Sequence, residues 1–172
     1  MSATPIEAVR VAVFLGTDHH PFQRLVDWVD EWAGDHPDVR CFIQHGPAAP
    51  PRHADGEAFV DVGRLREELR RATIAVGHAG PGTIVDARIA GRLPIVVPRL
   101  ARLGEVVDDH QVAFGRWMAD RGLALVAEDR AGVHRLLEAA RADPDSVRLD
   151  AADPDRSPAV RLVGDLLDEL MR

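Results

Sequence analysis

Short apolar runs and amphipathic segments alternate along most of the chain. Continuous apolar runs are typical of strands buried on both faces of a sheet, and here they predict six strands, at 9–15, 39–44, 58–62, 74–77, 94–97 and 123–127. Between them, apolar residues recur at helical spacing, which predicts helices at 22–33, 63–72, 83–90, 106–121 and 131–142. This alternation predicts an α/β fold, with a parallel sheet of about six strands and helices on both faces.

The predicted topology brings two glycine-containing turns into one crevice. Six strands allow the doubly wound order 3-2-1-4-5-6, in which strands one and four are neighbours at the topological switch point. Gly16 and Thr17 follow strand one, and the segment 78–83 follows strand four. Ligands of such sheets bind outside the carboxyl ends of the strands at this point. We therefore expect the two turns to face each other and to form a common site.

The second turn, His78-Ala79-Gly80-Pro81-Gly82-Thr83, has the chemistry of an anion site. It opens a predicted helix, whose first N–H groups favour a bound anion, most often a phosphate. Gly80 and Gly82 permit close approach to the backbone. The spacing differs from G-x-G-x-x-G and follows strand four instead of strand one, so it disfavours an NAD-type site. The alternative for either loop is a tight turn that binds no ligand, and the sequence does not decide between the two.

Two further polar residues are candidates for nucleotide contacts. Asp86 lies on the helix that the second turn opens, where a carboxylate can accept hydrogen bonds from a ribose diol; the alternative is an exposed acid near the positive end of the helix. A buried amide needs polar partners, supplied either by a nucleotide or by backbone. Gln111 is such an amide, on a predicted helix face that it shares with Val107, Phe114 and Met118.

Three residues are weak candidates for proton transfer, namely His19, His20 and Glu105. A histidine on the first loop can hydrogen-bond a diphosphate or accept a proton near neutral pH, although exposed turn histidines need no such role. Glu105 precedes an acidic run that superficially resembles a metal site. Charge runs in loops are usually solvated surface, so no metal is expected.

Composition restricts the classes of function. The chain has 172 residues, 46% of them hydrophobic, and a formal net charge of −7, which predicts one domain and argues against a nucleic-acid or anionic-membrane surface over the whole molecule. All basic side chains other than histidine are arginine, which excludes a Schiff-base lysine and a P-loop lysine. The single cysteine, Cys41, forms no internal disulfide. No signal peptide or membrane-spanning run is evident, so a cytoplasmic location is expected.

Five short motifs together resemble a known family. FLGT, HHPFQRL, GHAGPGT, IVVPR and GEVVDDHQ resemble the C-terminal, donor-binding domain of glycosyltransferase family 28, and within it the small stand-alone branch similar to Alg13, PssE and EpsE. The combination of H-x-G-x-G-T with E-x-V-D-D-H-Q is specific, and the resemblance covers 9–137. It implies a single Rossmann-like lobe of the GT-B fold, which takes part in inverting sugar transfer from a UDP-sugar, without a metal or other cofactor.

The resemblance also implies which residues bind the UDP-sugar. The first loop lies near the diphosphate, the second glycine loop completes that region, and Gln111 reaches the donor sugar or the phosphates. Asp86 stands where the family usually has a glutamate that holds the ribose hydroxyls, and its side chain is shorter. The matching positions are Gly16, Thr17, His78, Gly80, Gly82, Thr83, Asp86 and Gln111.

The size of the chain implies a partner. A GT-B enzyme has a second lobe for the acceptor, and this chain has room for one lobe only. By resemblance, a membrane-associated subunit similar to Alg14 and PssD would bind a lipid-linked acceptor in polysaccharide or glycolipid assembly, supply the general base and recruit this chain to the inner face of the membrane. The alternatives are a non-catalytic nucleotide-sugar-binding regulatory module and, less favoured, a nucleotide-sugar-modifying enzyme.

The chain divides into a domain and a tail. Residues 1–142 are predicted to form the UDP-sugar-binding domain, and 143–172 a linker with a C-terminal amphipathic helix that packs on the domain or on a partner. The proline-rich segment 46–56 predicts a surface loop of irregular structure, whose role as a lid or a partner contact is left open.

Overall fold

The structure, a computed structural model, describes residues 8–150. Within that range lie six strands: β1 Arg10–Phe14, β2 Arg40–Gln44, β3 Asp55–Glu57, β4 Ile74–His78, β5 Ile95–Val97 and β6 Leu125–Val126. The same range holds five α-helices: α1 Gln23–Asp35, α2 Val62–Arg71, α3 Pro81–Ile89, α4 His110–Asp120 and α5 Arg130–Ala142. Short 3-10 helices lie at Ala101–Leu103 and Pro144–Val147.

The strands form one parallel sheet in the order β3-β2-β1-β4-β5-β6. β1 and β4 pair directly, from Val11 opposite Ile74 to Phe14 opposite Gly77. Their carboxyl ends therefore lie side by side at the switch point of the sheet. Both the predicted α/β fold class and the predicted strand order are confirmed.

The sheet is covered on both faces because its central strands are apolar along their length. Val11 and Val13 belong to the core cluster that contains the buried side chains of α1 and α5. Ala12 and Phe14, which alternate with them, pack in a cluster with residues of α2 and α3. A fully buried aliphatic side chain stabilises the fold by roughly 1.5–3 kcal/mol relative to an exposed one. These two apolar layers therefore hold the sheet in place, and with it the carboxyl edge, where the carboxyl ends of the strands lie.

The predicted position of the third strand, 58–62, is wrong, because β3 lies at Asp55–Glu57. All three of its residues are exposed, so the strand carries no apolar pattern, and its first two residues belong to the segment 46–56 that was predicted to be irregular. Its position depends on backbone pairing with β2, where Phe42 is opposite Asp55. The buried carboxylate of Asp30 accepts hydrogen bonds from the N–H groups of residues 52–54 at 2.8–2.9 Å and so sets where the strand begins.

The fourth helix also begins later than the predicted residue 106, at His110. Gly104 has a positive φ of 68°, and the chain then turns so that Glu105 and Val106 are buried. Val107 lies outside the helix and is 78% exposed. The predicted shared face of Val107 and Gln111 is therefore wrong.

The first residues of the predicted tail pack on the domain. Val147 is buried, and its carbonyl accepts a hydrogen bond from the Leu93 N–H at 2.8 Å. The predicted C-terminal amphipathic helix lies outside the described residues. Between residues 8 and 150, no helix combines the length and apolar character needed to cross a bilayer. Cys41 is buried in β2, and burial raises the pKa of its thiol, as expected of a packed cysteine.

Candidate functional site

The turn after β1 is held in an unusual backbone conformation. Gly16 has a φ of 77°, and a Cβ on this residue would lie 2.6 Å from Nε2 of His78. The buried amide of Gln44 supports the turn: its Oε1 accepts a hydrogen bond from the Leu15 N–H, and its Nε2 donates to the Gly16 carbonyl, both at 3.2 Å. Only glycine satisfies both the conformation and the space at position 16.

His78 connects the two glycine turns. Its imidazole lies against Gly16 on one side and Gly80 on the other, and its Nε2 lies 3.0 Å from Thr83 Oγ1. Nδ1 is buried and has no hydrogen-bond partner among the described residues. Burial and the nearby charge of Arg99 lower the pKa of His78 to about 4, so the ring is neutral at pH 7.

The amino end of α3 is open to a ligand. Gly80 is the N-cap residue, no side chain caps the helix, and Pro81 occupies the first turn, where it removes no helical hydrogen bond. A Cβ on Gly82 would meet nothing within 4 Å. The N–H groups of Gly82 and Thr83 therefore remain for solvent or for an anion, which the helix dipole favours.

The first loop continues through a hydrogen-bonded cluster. The ring of His20 lies 2.6 Å from an oxygen of Asp18, and His20 N–H donates to the same oxygen at 2.8 Å. Partial burial acts to raise the pKa of Asp18, but these hydrogen bonds lower it. Thr17 and His19 are exposed. Asp18, His19 and His20 offer ligand atoms within 4.8 Å of one another and form the one such metal-capable group in the described part of the chain; the absence of a metal stays a prediction.

A buried arginine that sequence reasoning missed supports the first loop. Arg99 follows β5 and is 1% exposed. Its guanidinium donates to the carbonyls of Leu15, His20 and Glu105, each at 2.8 Å. Burial lowers the pKa of Arg99, while Asp18 and Glu105 act to raise it. The sequence contained one signal for this role. Arg99 is a charged residue that closely follows an apolar strand, at the edge of the sheet that carries the glycine turns.

Glu105 is engaged on both carboxylate oxygens. Arg24 binds them through Nε and Nη2, each at 2.8 Å, and the Leu100 N–H donates to Oε2 at 2.9 Å. The side chain of Glu105 is also buried. This bidentate pair gives Glu105 a structural role in the loop after β5, and its predicted part in proton transfer stays a prediction.

Asp86 lies on α3 beyond the open helix end. Thr83 and Asp86 are three residues apart, which corresponds to about 4.5 Å along a helix axis. Asp86 is half-buried, and burial raises the pKa of its carboxyl, with Arg66 opposing that effect. Its predicted contact with a ribose stays a prediction.

Gln111 is buried in the first turn of α4. Its Oε1 accepts a hydrogen bond from the Arg99 N–H at 3.2 Å, so backbone satisfies part of this amide, which is the alternative that its sequence position left open. Gln111 also acts to raise the pKa of His78, against the effects of burial and Arg99. The amide therefore belongs to the group of side chains around the imidazole.

Three chain segments thus meet at the carboxyl edge. The structure brings Gly16, His78, Gly80 and Thr83 together, and Arg99 connects them with Gln111. Sequence reasoning missed Arg99 and Gln44; the latter is a polar residue at the end of an otherwise apolar strand. The arrangement offers free N–H groups, a neutral imidazole and a buried positive charge. Together these features suit a dianionic ligand.

The sequence matches a family and a curated relative. Residues 11–152 match the glycosyltransferase family 28 C-terminal domain. Over 72 residues the chain is 43% identical to the UDP-N-acetylglucosamine–N-acetylmuramyl-(pentapeptide) pyrophosphoryl-undecaprenol N-acetylglucosamine transferase of Phenylobacterium zucineum (strain HLK1). That match covers 41% of this chain and 18% of the relative.

Solved glycosyltransferase structures share the fold. MurG of Acinetobacter baumannii superposes with a TM-score of 0.60 at 17% identity, over 96% of this chain and 51% of that one. The calicheamicin glycosyltransferase CalG4 gives 0.61 at 16% identity, over 96% and 44%, and the glycotransferase of kitacinnamycin 0.59 at 22%, over 94% and 40%. The chain therefore spans 40–51% of the length of these relatives.

Proposed function

Because the chain belongs to the glycosyltransferase family 28 C-terminal domain family, we propose that it is the UDP-sugar donor-binding subunit of a two-component inverting glycosyltransferase. One observation carries this proposal: the positive-φ turn at Gly16 and the uncapped amino end of α3 meet around His78. Such a site suits a diphosphate, because its N–H groups and helix dipole favour negative charge.

The same arrangement suits the chemistry of transfer. As the glycosidic bond to the donor sugar breaks, the leaving UDP gains negative charge on its diphosphate. Hydrogen-bond donors that already point at the diphosphate stabilise this charge in the transition state, and the protein does not have to rearrange as the charge develops. The N–H groups of Gly82 and Thr83 are such donors, and so is the Thr83 hydroxyl when Nε2 of the neutral His78 ring donates to its oxygen. No metal is required in this account, and Asp86 is assigned to the ribose hydroxyls.

The acceptor side of the reaction is assigned to a partner. The chain spans 40–51% of the length of the glycosyltransferase structures that share its fold, and its resemblance to the stand-alone branch supports an acceptor-binding lobe on another polypeptide. We assign the general base to that subunit, because Glu105 is held by Arg24. The partner is membrane-associated and presents a lipid-linked acceptor at the inner face of the membrane, in polysaccharide or glycolipid assembly.

The relative from Phenylobacterium zucineum supports a choice of donor. Its name states that it transfers N-acetylglucosamine from UDP-N-acetylglucosamine, so UDP-N-acetylglucosamine is the first donor to test. Other UDP-hexoses are the competing donors.

Calorimetric titration of the isolated chain tests donor binding. UDP, UDP-N-acetylglucosamine, UDP-glucose and UDP-galactose are titrated into the wild-type chain, the Asp86→Ala variant and the Asp27→Ala control, which changes an exposed acid on α1. We expect saturable UDP binding that Asp86→Ala weakens about tenfold, the order of one charged hydrogen bond, and that Asp27→Ala leaves unchanged. Absence of UDP binding by the wild-type chain contradicts the proposal.

A non-catalytic nucleotide-sugar-binding module is the second candidate. The observation in its favour is that the acidic candidate for proton transfer, Glu105, is bound by Arg24 and accepts a hydrogen bond from the Leu100 N–H. Both candidates predict UDP binding, and they differ in the effect of adding the acceptor-binding subunit. Transfer of radiolabelled sugar to a lipid fraction when both subunits are present supports the first, and donor binding without any transfer supports the second.

A further inference from the structure

The side chain of Arg99 connects two loops of the proposed donor site, the loop after β1 and the loop after β5. In the sheet order, β4 lies between β1 and β5, and Arg99 reaches from the end of β5 to the carbonyls of Leu15 and His20 in the loop after β1. The same guanidinium holds the carbonyl of Glu105 at 2.8 Å. Its side chain therefore ties the two loops on either side of His78 to each other.

In the part of the chain that the structure describes, no carboxylate forms a direct ion pair with Arg99. Each of its hydrogen bonds ends on a neutral backbone oxygen, and its Nε is buried without a partner in the described residues. The carboxylate of Glu105 is bound by Arg24. Asp18 is the other carboxylate that acts on Arg99. Guanidinium groups stay protonated in proteins, so a positive charge persists under the crevice.

The turn at Gly16 is consequently fixed from two directions. Gln44 binds the Leu15 N–H and the Gly16 carbonyl from the β2 side, and Arg99 binds the Leu15 carbonyl from the β5 side. A glycine turn with a positive φ loses much conformational freedom when it is ordered. Two buried side chains that order it before a ligand arrives reduce that cost of binding.

We propose that Arg99 is a positioning residue for the diphosphate of the donor: it locks the loops after β1 and β5 together and holds a positive charge behind the Gly16 turn. This inference rests on the proposed function and goes beyond it by assigning a residue that the ligand does not touch. The charged and titratable groups that act on the guanidinium, or on the imidazole of His78, are Asp18, Glu105 and His110.

The experiment compares UDP with uridine, which lacks both phosphates. Each ligand is titrated by calorimetry into the wild-type chain, Arg99→Met, Arg99→Lys and the control Arg141→Met. Arg141 pairs with Asp38 on the surface and lies outside the site. In parallel, NMR follows the titration of His78 in each protein, and circular dichroism reports whether each variant is folded.

We expect Arg99→Met to weaken UDP binding about tenfold or more, because the two loops lose their connection and the diphosphate loses a nearby positive charge, and to change uridine binding far less. Arg99→Lys, which keeps the charge and loses the planar fork, falls between Arg99→Met and the wild-type chain. The pKa of His78, about 4 in the wild-type chain, rises in Arg99→Met and stays low in Arg99→Lys. A purely structural role would not produce this difference between the two variants.

Two failures are distinguishable. If the wild-type chain binds UDP and Arg99→Met binds it equally well, or loses UDP and uridine binding in the same proportion, the inference is wrong and the proposed function stands. If the wild-type chain does not bind UDP, the proposed function is wrong and the inference falls with it. Should Arg99→Met fail to fold, Arg99→Lys decides: weaker UDP binding with a low His78 pKa supports the inference, and unchanged UDP binding overturns it.

Discussion

A side chain at position 16 has no room in the described fold. Gly16 combines a φ of 77° with an approach to His78 that would put a Cβ 2.6 Å from Nε2. We predict that Gly16→Ala abolishes measurable UDP binding and lowers the free energy of unfolding by about 1–3 kcal/mol. The measurements are calorimetry and urea denaturation.

The matched control for that change is Gly122→Ala. Gly122 has a similar φ of 66°, but a Cβ there would meet nothing within 4 Å. Gly122→Ala should therefore lower the free energy of unfolding only by the cost of a positive φ, about 1 kcal/mol, and should leave UDP binding intact. Equal effects of the two substitutions would show that the contact with His78 has no part in the site.

His78 makes stability depend on pH in a definite direction. Its pKa is about 4 in the folded chain and 6.5 for an unperturbed histidine, so between these values the unfolded chain binds more protons. The contribution of His78 is fully present above pH 6.5 and is lost as the pH falls towards 4. The total loss is roughly 3 kcal/mol, at 1.36 kcal/mol per unit of pKa.

Urea denaturation of the wild-type chain and of His78→Gln, at pH 7 and at pH 4.5, measures this effect. The wild-type chain should lose more stability between the two pH values than the variant does. His53→Gln, at an exposed position, serves as the control and should behave like the wild-type chain. The same pH dependence in His78→Gln and in the wild-type chain would contradict a neutral, buried imidazole.

At the residue scale, the sequence predicted the positions of the glycine turns, but it did not predict which side chains hold those turns in place. The positions of Gly16, Gly80 and Thr83 follow from which residues end apolar strands and begin helices. Gln44 and Arg99 act through contacts with residues 28 and 84 positions away in the sequence. No local pattern encodes such contacts, because they depend on which strands become neighbours.

At the scale of elements, a buried acid determines where β3 begins. Asp30 is 6% exposed and accepts the N–H groups of Arg52, His53 and Ala54; burial acts to raise its pKa, and these hydrogen bonds lower it. We predict that Asp30→Ala destabilises the chain by about 2–4 kcal/mol, because three backbone N–H groups lose the acceptor that holds them to α1. Urea denaturation measures the loss, and hydrogen exchange should show faster exchange in β3.

Asp27→Ala, on the exposed face of the same helix, is the control for Asp30→Ala. It changes the same side chain one turn earlier, and its effect on the free energy of unfolding should stay within about 0.5 kcal/mol. If Asp27→Ala and Asp30→Ala cost the same, the anchoring of residues 52–54 is not what fixes β3.

The predictability of each element follows the burial of its residues. The central strands β1 and β4 and the helices that cover them were predicted well, because burial on both faces imposes an apolar pattern. β3 was misplaced because an exposed edge strand pairs through its backbone. The start of α4 was misplaced because apolar Val106 and Val107 resemble helix residues, although one is buried in a loop and the other is exposed.

At the scale of the whole molecule, exposed apolar side chains beside the crevice are candidates for contact with the proposed acceptor subunit. Val107 is 78% exposed and Leu103 is 48% exposed, both in the loop between β5 and α4. We predict that Val107→Asp abolishes sugar transfer by the proposed two-subunit enzyme and leaves UDP binding to the isolated chain unchanged. Copurification and transfer assays measure the first effect, and calorimetry the second.

Ile89→Asp provides the matched control for the proposed interface. Ile89 is 49% exposed at the far end of α3, away from the crevice, so a charge there should affect neither transfer nor UDP binding. If Val107→Asp supports transfer as well as Ile89→Asp does, the loop after β5 is not part of the subunit contact.

NMR mapping of UDP on the ¹⁵N-labelled chain tests the central claim most directly, because it locates the bound nucleotide on the fold. The account predicts that the largest shifts of backbone N–H signals fall on Gly16, Gly82 and Thr83, with the Gly122 signal unchanged. Shifts that saturate with UDP but map away from the ends of β1 and β4, or no shifts at millimolar UDP, would contradict a donor site between the two glycine turns.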